Sequence, residues 1–193
     1  MPCAAGPGRP LWGGNGKNGV VTQSSLILTL IGPDRPGLVR ILAELVAERG
    51  GNWLESRMAR LGGQFAGIAL VSMPPAEIDA LTRALAQLQD QGLRVTVQAG
   101  AAEPASLPHT IMHLEVVGHD RPGIVRDFTQ ALWNCGVNIE ELTTDVRSGS
   151  FSGEPLFRAE ARLRVSSLDA AGRVRSALEH LGNELMVDIK AVV

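Results

Sequence analysis

Gly32-Pro33-Asp34-Arg35-Pro36-Gly37-Leu38-Val39-Arg40 returns later in the chain as Gly118-His119-Asp120-Arg121-Pro122-Gly123-Ile124-Val125-Arg126. The offset, from 32 to 118, is 86 residues, and seven of the nine positions are identical. The likeness extends outward on both sides. Upstream, Leu26, Leu28 and Leu30 become Met112, Leu114 and Val116; downstream, Asn52 and Glu55 become Asn138 and Glu141. One offset that carries apolar alternation as well as a motif marks a structural repeat. Two similar domains are therefore expected at 24–98 and 109–193, joined by a Pro- and Ala-containing linker at 99–108. Residues 1–23 are rich in Gly and Pro, carry no apolar run of the signal-peptide kind, and read as a flexible extension.

Within the first unit, Leu26, Leu28 and Leu30 alternate with Ile27, Thr29 and Ile31, the two-residue period of a strand with a buried face. After Pro36-Gly37 the period changes. Leu38, Ile41, Leu42, Leu45 and Val46 fall on one face of a helix, with Asp34 expected as its cap, Pro36 in its first turn and Gly50-Gly51 as its stop. Trp53–Leu61 and Gln64–Met73 read as strands around the two-residue turn Gly62-Gly63. A helix from Pro75 then turns Ile78, Leu81, Leu85 and Leu88 inward, Gly92 ends it, and Leu93, Val95 and Val97 alternate as a last strand.

The second unit repeats this β-α-β-β-α-β order. Ile124, Phe128, Ala131, Leu132 and Cys135 line its first helix, and Ala171, Val174, Leu178 and Leu181 its second. In its third strand Phe157, Ala159, Ala161, Leu163 and Val165 face one way, and Arg158, Glu160, Arg162 and Arg164 the other. One face of that sheet is wet, whereas the equivalent strand, Phe65–Met73, is apolar on both faces, which calls for a cover; a second copy of the chain is the simplest one. An irregular loop at 148–155 replaces the tight glycine turn. The order implies an α+β chain: two ferredoxin-like units, each an antiparallel four-stranded sheet with two helices on one face.

Composition narrows the function. With 18 basic and 20 acidic residues the net charge is −2 and like charges form no long block, which argues against direct nucleic-acid binding through phosphates. No apolar run approaches the roughly 20 residues of a membrane span. Cys3 and Cys135 are the only cysteines and lie far apart, so neither a disulfide framework nor a paired-cysteine metal site is expected, and a reducing, cytoplasmic compartment fits.

Asp-Arg-Pro-Gly where a strand meets a helix leaves backbone N–H groups at a helix start, whose dipole favours a carboxylate or phosphate. Gly37 and Gly123 let a ligand approach the main chain, and a Val at either position is expected to obstruct the ligand more than the fold. Asp34 and Asp120 have two readings: helix caps, or acceptors for an ammonium group. Together these are the parts that would hold a free amino acid.

Two consecutive units of this order, each with Gly-x-Asp-Arg-Pro-Gly before its first helix and Gly-Asn or Gly-Val-Asn after it, resemble a tandem ACT-domain protein, most of all the glycine cleavage repressor group. The resemblance covers about 24–193. It implies a non-catalytic regulator that binds a small amino acid, glycine or serine, where ACT domains pair. By position it marks Asp34, Arg35, Pro36, Gly37, Asp120, Arg121, Pro122 and Gly123 as ligand-binding, with Asn52 and Asn138 at the start of the second strands. It further implies a protein partner, a homodimer, no cofactor, no metal and no direct nucleic-acid contact. Pro33 and His119, at a variable position, would make the two sites unequal.

Other candidates carry less. His109 and His113 share a strand face but have no third ligand nearby in sequence, so they read as solvated or interfacial, and the match of His113 to Ile27 supports a packing role. Cys135 reads as core, and Trp53 and Trp133 as packing residues. The third strand lacks the aromatics of an RNA-recognition domain. The alternatives kept are a stand-alone ferredoxin-like enzyme, such as an acyl phosphate hydrolase, and a detached regulatory half of an amino-acid or folate pathway enzyme.

Overall fold

The computed structural model describes residues 23–100, 109–148, 154–165, 169–180 and 186–192. The chain divides into two compact units, 1–102 and 103–193. The proposed extension at 1–23, apart from Gln23, and the proposed linker, apart from Ala99 and Gly100, lie outside the described residues, as do 149–153 of the irregular loop and Leu181.

The first unit runs β1 (Ser24–Pro33), α1 (Leu38–Ala47), β2 (Asn52–Leu61), β3 (Gln64–Met73), α2 (Ile78–Gln87) and β4 (Arg94–Ala99), with short 3-10 turns before and after α2. Its sheet has the order β2-β3-β1-β4, antiparallel throughout. Leu26, Leu28 and Leu30 of β1 are buried with Ala69, Val71 and Met73 of β3 against Leu38, Leu42 and Val46 of α1 and Leu81 and Leu85 of α2. The two-residue period of the strands and the helical period of α1 and α2 thus meet in one core. Gly62 and Gly63 turn the hairpin at φ 57 and 78, the doubly left-handed geometry that matches strand twist.

The second unit repeats the design with β5 (Thr110–His119), α3 (Ile124–Asn134), β6 (Asn138–Ser148), β7 (Pro155–Val165), α4 (Asp169–Glu179) and β8 (Met186–Val192), in the order β6-β7-β5-β8. Phe157, Ala159, Ala161, Leu163 and Val165 are all buried, and Phe128 and Leu132 of α3 and Val174 and Leu178 of α4 close over them. The alternation of β7 therefore gives the inner and outer faces as expected. β2 and β6 carry the same irregularity at equivalent places, between Trp53 and Glu55 and between Ile139 and Glu141.

Two local expectations are corrected. Neither Asp34 nor Asp120 caps a helix: the N-caps are Gly37 and Gly123, without a side-chain hydrogen bond, and Pro36 and Pro122 stand just outside the helices rather than in their first turns. Each left-handed glycine becomes the N-cap itself, so the helix starts three residues later than an aspartate cap implies. Trp133 is not a packing residue: it is 74% exposed, because Phe128, Ala131 and Leu132 already fill the inner face of α3. His113, opposite Arg162 on the outer face of β5, is exposed, as the solvated reading of it expects. Cys135 is only partly buried at the end of α3, although it does pack against the core.

Candidate functional site

The two turns are alike in backbone. Gly37 adopts φ 90 and Gly123 φ 84, a left-handed conformation that other L-residues reach only with strain. Asp34 donates its N–H to the Gly63 carbonyl at 3.0 Å, and Asp120 its N–H to the Pro155 carbonyl at 3.0 Å, so each turn is pinned to the β2–β3 or β6–β7 connection. The first turn of a helix lacks intrahelical acceptors for its N–H groups. In α3 the Ile124 N–H is taken by the Arg121 carbonyl at 3.2 Å, and Asp127 begins the helical ladder by donating to Gly123. Between them the N–H groups of Val125 and Arg126 face outward with no side chain capping them.

The side chains of the two turns differ. The carboxylate of Asp34 pairs with Arg60 on β2, at 2.7 Å. Register explains the contact: Phe65 of β3 pairs with Gly32 on one side and Arg60 on the other, which brings Arg60 to the row where β1 ends. In the second unit Phe157 pairs with Gly118 and Val146, so a valine stands where the arginine does. Asp120 makes no side-chain hydrogen bond or ion pair among the described residues. Arg35 donates to Gln91 at 3.3 Å, whereas Arg121 folds onto the first turn of α3 and meets Asp127 at 2.8 Å. The hydrogen bond from Arg121, and then that from Arg126, holds the Asp127 carboxyl below its ordinary range.

Beside the second turn lies a cavity of about 400 Å³, walled by Asp120, Gly123 and Val125 on one side and Thr144 and Val146 on the other. Val125 and Val146 are half-exposed, so the cavity is a groove open along the edge strand β6. It combines uncapped N–H groups, the Asp120 carboxylate, a hydroxyl and apolar walls with Arg121 and Asp145, whose charges are paired with Asp127 and Arg147, a mixture that suits a small zwitterion. Asn52 and Asn138 are not brought to it. Asn138 pairs with Arg164, opposite Ile111, and Ile111 is eight residues from His119, so roughly 26 Å of strand separates Asn138 from its own turn. Asn52, paired with Ser72 at the far end of its sheet, is placed likewise.

The outer faces of the two sheets contrast. On β1 and β3 the central outer residues, Ile27, Thr29, Ile31, Ala66, Ile68 and Leu70, carry no charge, and Ile31 and Ile68 are 48% and 50% exposed. On β7 the arginines do gather, but each has an acidic neighbour. Arg158 contacts Glu115 and Glu160, Arg164 contacts Glu140, and Arg162 Nε lies 3.1 Å from Glu140 without hydrogen-bond geometry. The hydrogen bond to Glu115 holds Arg158 above its ordinary range. A second depression of about 320 Å³ on this face is lined by His113, Glu115, Glu160, Arg162 and Asp188 among others. Among the described residues no group of three or more His, Cys, Asp or Glu side chains is placed to hold a metal ion, and no helix is long and apolar enough to cross a membrane.

Sequence reasoning missed the second-strand side of the groove, Arg60, Thr144 and Val146. The repeat offset could have found it, since 60 and 146 are equivalent positions with opposite chemistry.

Comparison with known proteins agrees with the repeat. The ACT domain profile matches twice, over residues 24–98 and 110–192. The glycine cleavage system transcriptional repressor of Escherichia coli strain K12 is 29% identical over 168 residues, covering 85% of this chain and 87% of that protein, and the Shigella flexneri protein of the same name is equally similar. A crystal structure of an unknown protein from Galdieria sulphuraria, 30% identical, superposes with a TM-score of 0.74 over 89% of this chain and 100% of its own. A provisionally named glycine cleavage system transcriptional repressor, 21% identical, shares the fold with a TM-score of 0.67 over 88% of this chain and 98% of its own. With both units matched, the chain belongs to the ACT domain family.

Proposed function

We propose that this chain is a non-catalytic regulator that binds a small amino acid, glycine or serine, where ACT units pair, and that it passes its state to a protein partner in control of glycine cleavage genes. The observation that carries the reading is the uncapped start of α3 beside an open groove that holds the unpaired Asp120. Free N–H groups receive the carboxylate, and Asp120 receives the ammonium. The groove is open on one side, and Asn52 and Asn138 stand far from their own turns. In this reading a paired unit supplies both the missing wall and the asparagine. Similarity to the glycine cleavage system transcriptional repressor supports the choice of pathway.

Action through a partner follows from the charge pattern. The clustered arginines of β7 are spent on acids of the same face, which leaves little for DNA phosphates. The protein works in the cytoplasm as a homodimer, with the uncharged central strands of the outer face of the first sheet as the contact between copies. It needs neither cofactor nor metal.

Calorimetry of the purified chain against the twenty amino acids tests this, with an acyl phosphate hydrolysis assay in parallel. Saturable binding of glycine or serine without hydrolysis is the expected result. Hydrolysis, with no amino acid bound, overturns it in favour of the ferredoxin-like enzyme.

A further inference from the structure

We propose that the two Asp-Arg-Pro-Gly turns, alike in sequence and backbone, are unequal in function: the second unit takes the amino acid, the first is closed by its own Arg60, and position 60 or 146 decides which. The inference rests on the amino-acid reading above and names which copy of the motif performs it.

Three differences at equivalent positions point the same way. Arg60 places a guanidinium 2.7 Å from the Asp34 carboxylate, the place the ammonium of an amino acid would occupy. A ligand entering there must displace one cation and bind beside another, and like charges at that range repel. At the equivalent position the second unit has Val146, which carries no charge and leaves Asp120 unpaired. Met58, which packs against the first core, is replaced by Thr144, a shorter side chain with a hydroxyl in the wall of the groove.

The arginines of the motif follow suit. Arg121 lines the groove with its charge held by Asp127 at 2.8 Å, and Asp127 has no counterpart in the first unit, where Ile41 stands. Arg35 is left to reach Gln91. Both helix starts are uncapped, but the carboxylate beside the first is already paired with Arg60, whereas the one beside the second has no such partner among the described residues. An exposed ion pair is weak in itself. The discrimination comes from Arg60 occupying the ammonium position as well as neutralising its acceptor.

The test is a reciprocal exchange read by calorimetry with glycine and L-serine. Arg60 and Val146 are both exposed, so the fold tolerates the changes, and melting temperature checks that it does. Wild type is expected to bind one equivalent per chain. Val146→Arg is expected to reduce its affinity at least tenfold, whereas Val146→Leu, which adds bulk without charge, retains it within about threefold. Arg60→Val is expected to raise the stoichiometry to two. Two equal sites in wild type, retention of binding by Val146→Arg, or a stoichiometry unchanged by Arg60→Val overturns the inference and leaves the amino-acid reading standing. Absence of binding in wild type overturns the amino-acid reading itself.

Discussion

Arg121 and Asp127, six residues apart, close an ion pair of 2.8 Å across the start of α3, so that the arginine of the motif is held by the helix it precedes. Arg126 contacts the other oxygen of the same carboxylate. The first unit has the same arginine and no such acid, which shows how one motif acquires different local chemistry from residues outside it.

A pH prediction follows from this pair. Asp127 is held below its ordinary value of 3.8, chiefly by the hydrogen bond from Arg121, so the folded state binds its proton less readily than the unfolded chain does. The stabilisation is complete above that ordinary value and is lost as pH falls through the depressed one. Urea titrations of wild type and Asp127→Asn should therefore differ by a constant amount from pH 5 to pH 8, and the difference should shrink below about pH 4. A difference that disappears between pH 7 and pH 5 would contradict this.

The glycines of the turns give a second prediction. A Cβ at Gly37 would meet no atom of the chain within 4 Å, so within the fold its φ of 90, not crowding, is what favours glycine there. Gly37→Val should cost about 1–2 kcal/mol of stability, the penalty of left-handed backbone for an L-residue. Gly37→Asn, whose side chain tolerates that conformation, should cost clearly less. Equal losses in denaturant midpoint would rule out backbone conformation as the constraint.

The architecture was legible because each of its signals is local or repeated. Strand alternation in Leu26–Leu30, the helical period from Leu38 to Val46 and the Gly62-Gly63 turn each fix one element, and the 86-residue offset makes every reading twice. The caps were misread because left-handed Gly37 and Gly123 take the N-cap position in both turns, and Asp34 is drawn to a partner 26 residues later by the pairing of Arg60 and Gly32 with the two sides of Phe65. A local capping rule cannot see such a contact. Trp133 was misread for a related reason: helical position says which face a residue occupies, but not that smaller neighbours have already filled the core.

The first sheet gives a prediction about assembly. Its outer face presents Ile27, Ile31, Ile68 and Leu70 across two neighbouring strands, whereas the outer face of the second sheet is charged. Burying those charges against isoleucine would be costly, which favours contact between two first units. Light scattering should give a dimer at micromolar concentration. Ile68→Glu should give a monomer with unchanged circular dichroism. A monomeric wild type would refute the assignment.

The charge pattern predicts that the purified chain alone has no measurable affinity for duplex DNA at physiological salt. Arg158, Arg162 and Arg164 lie on one face but are neutralised by Glu115, Glu140 and Glu160. Filter binding should show no retention of DNA. Tight, steeply salt-dependent retention would mean that these pairs open for phosphate and would remove the argument for a partner.

The most direct test of the amino-acid site is an amide NMR titration of the folded chain with glycine and with L-serine. The account predicts saturable shifts concentrated at Gly123, Ile124, Val125 and Arg126, with Thr144 and Val146 across the groove, and a thermal stabilisation of about 2.7 kcal/mol when ligand reaches a hundred times its dissociation constant. Shifts confined to the charged outer face around Glu115 and Glu160, or none at millimolar ligand, would contradict it.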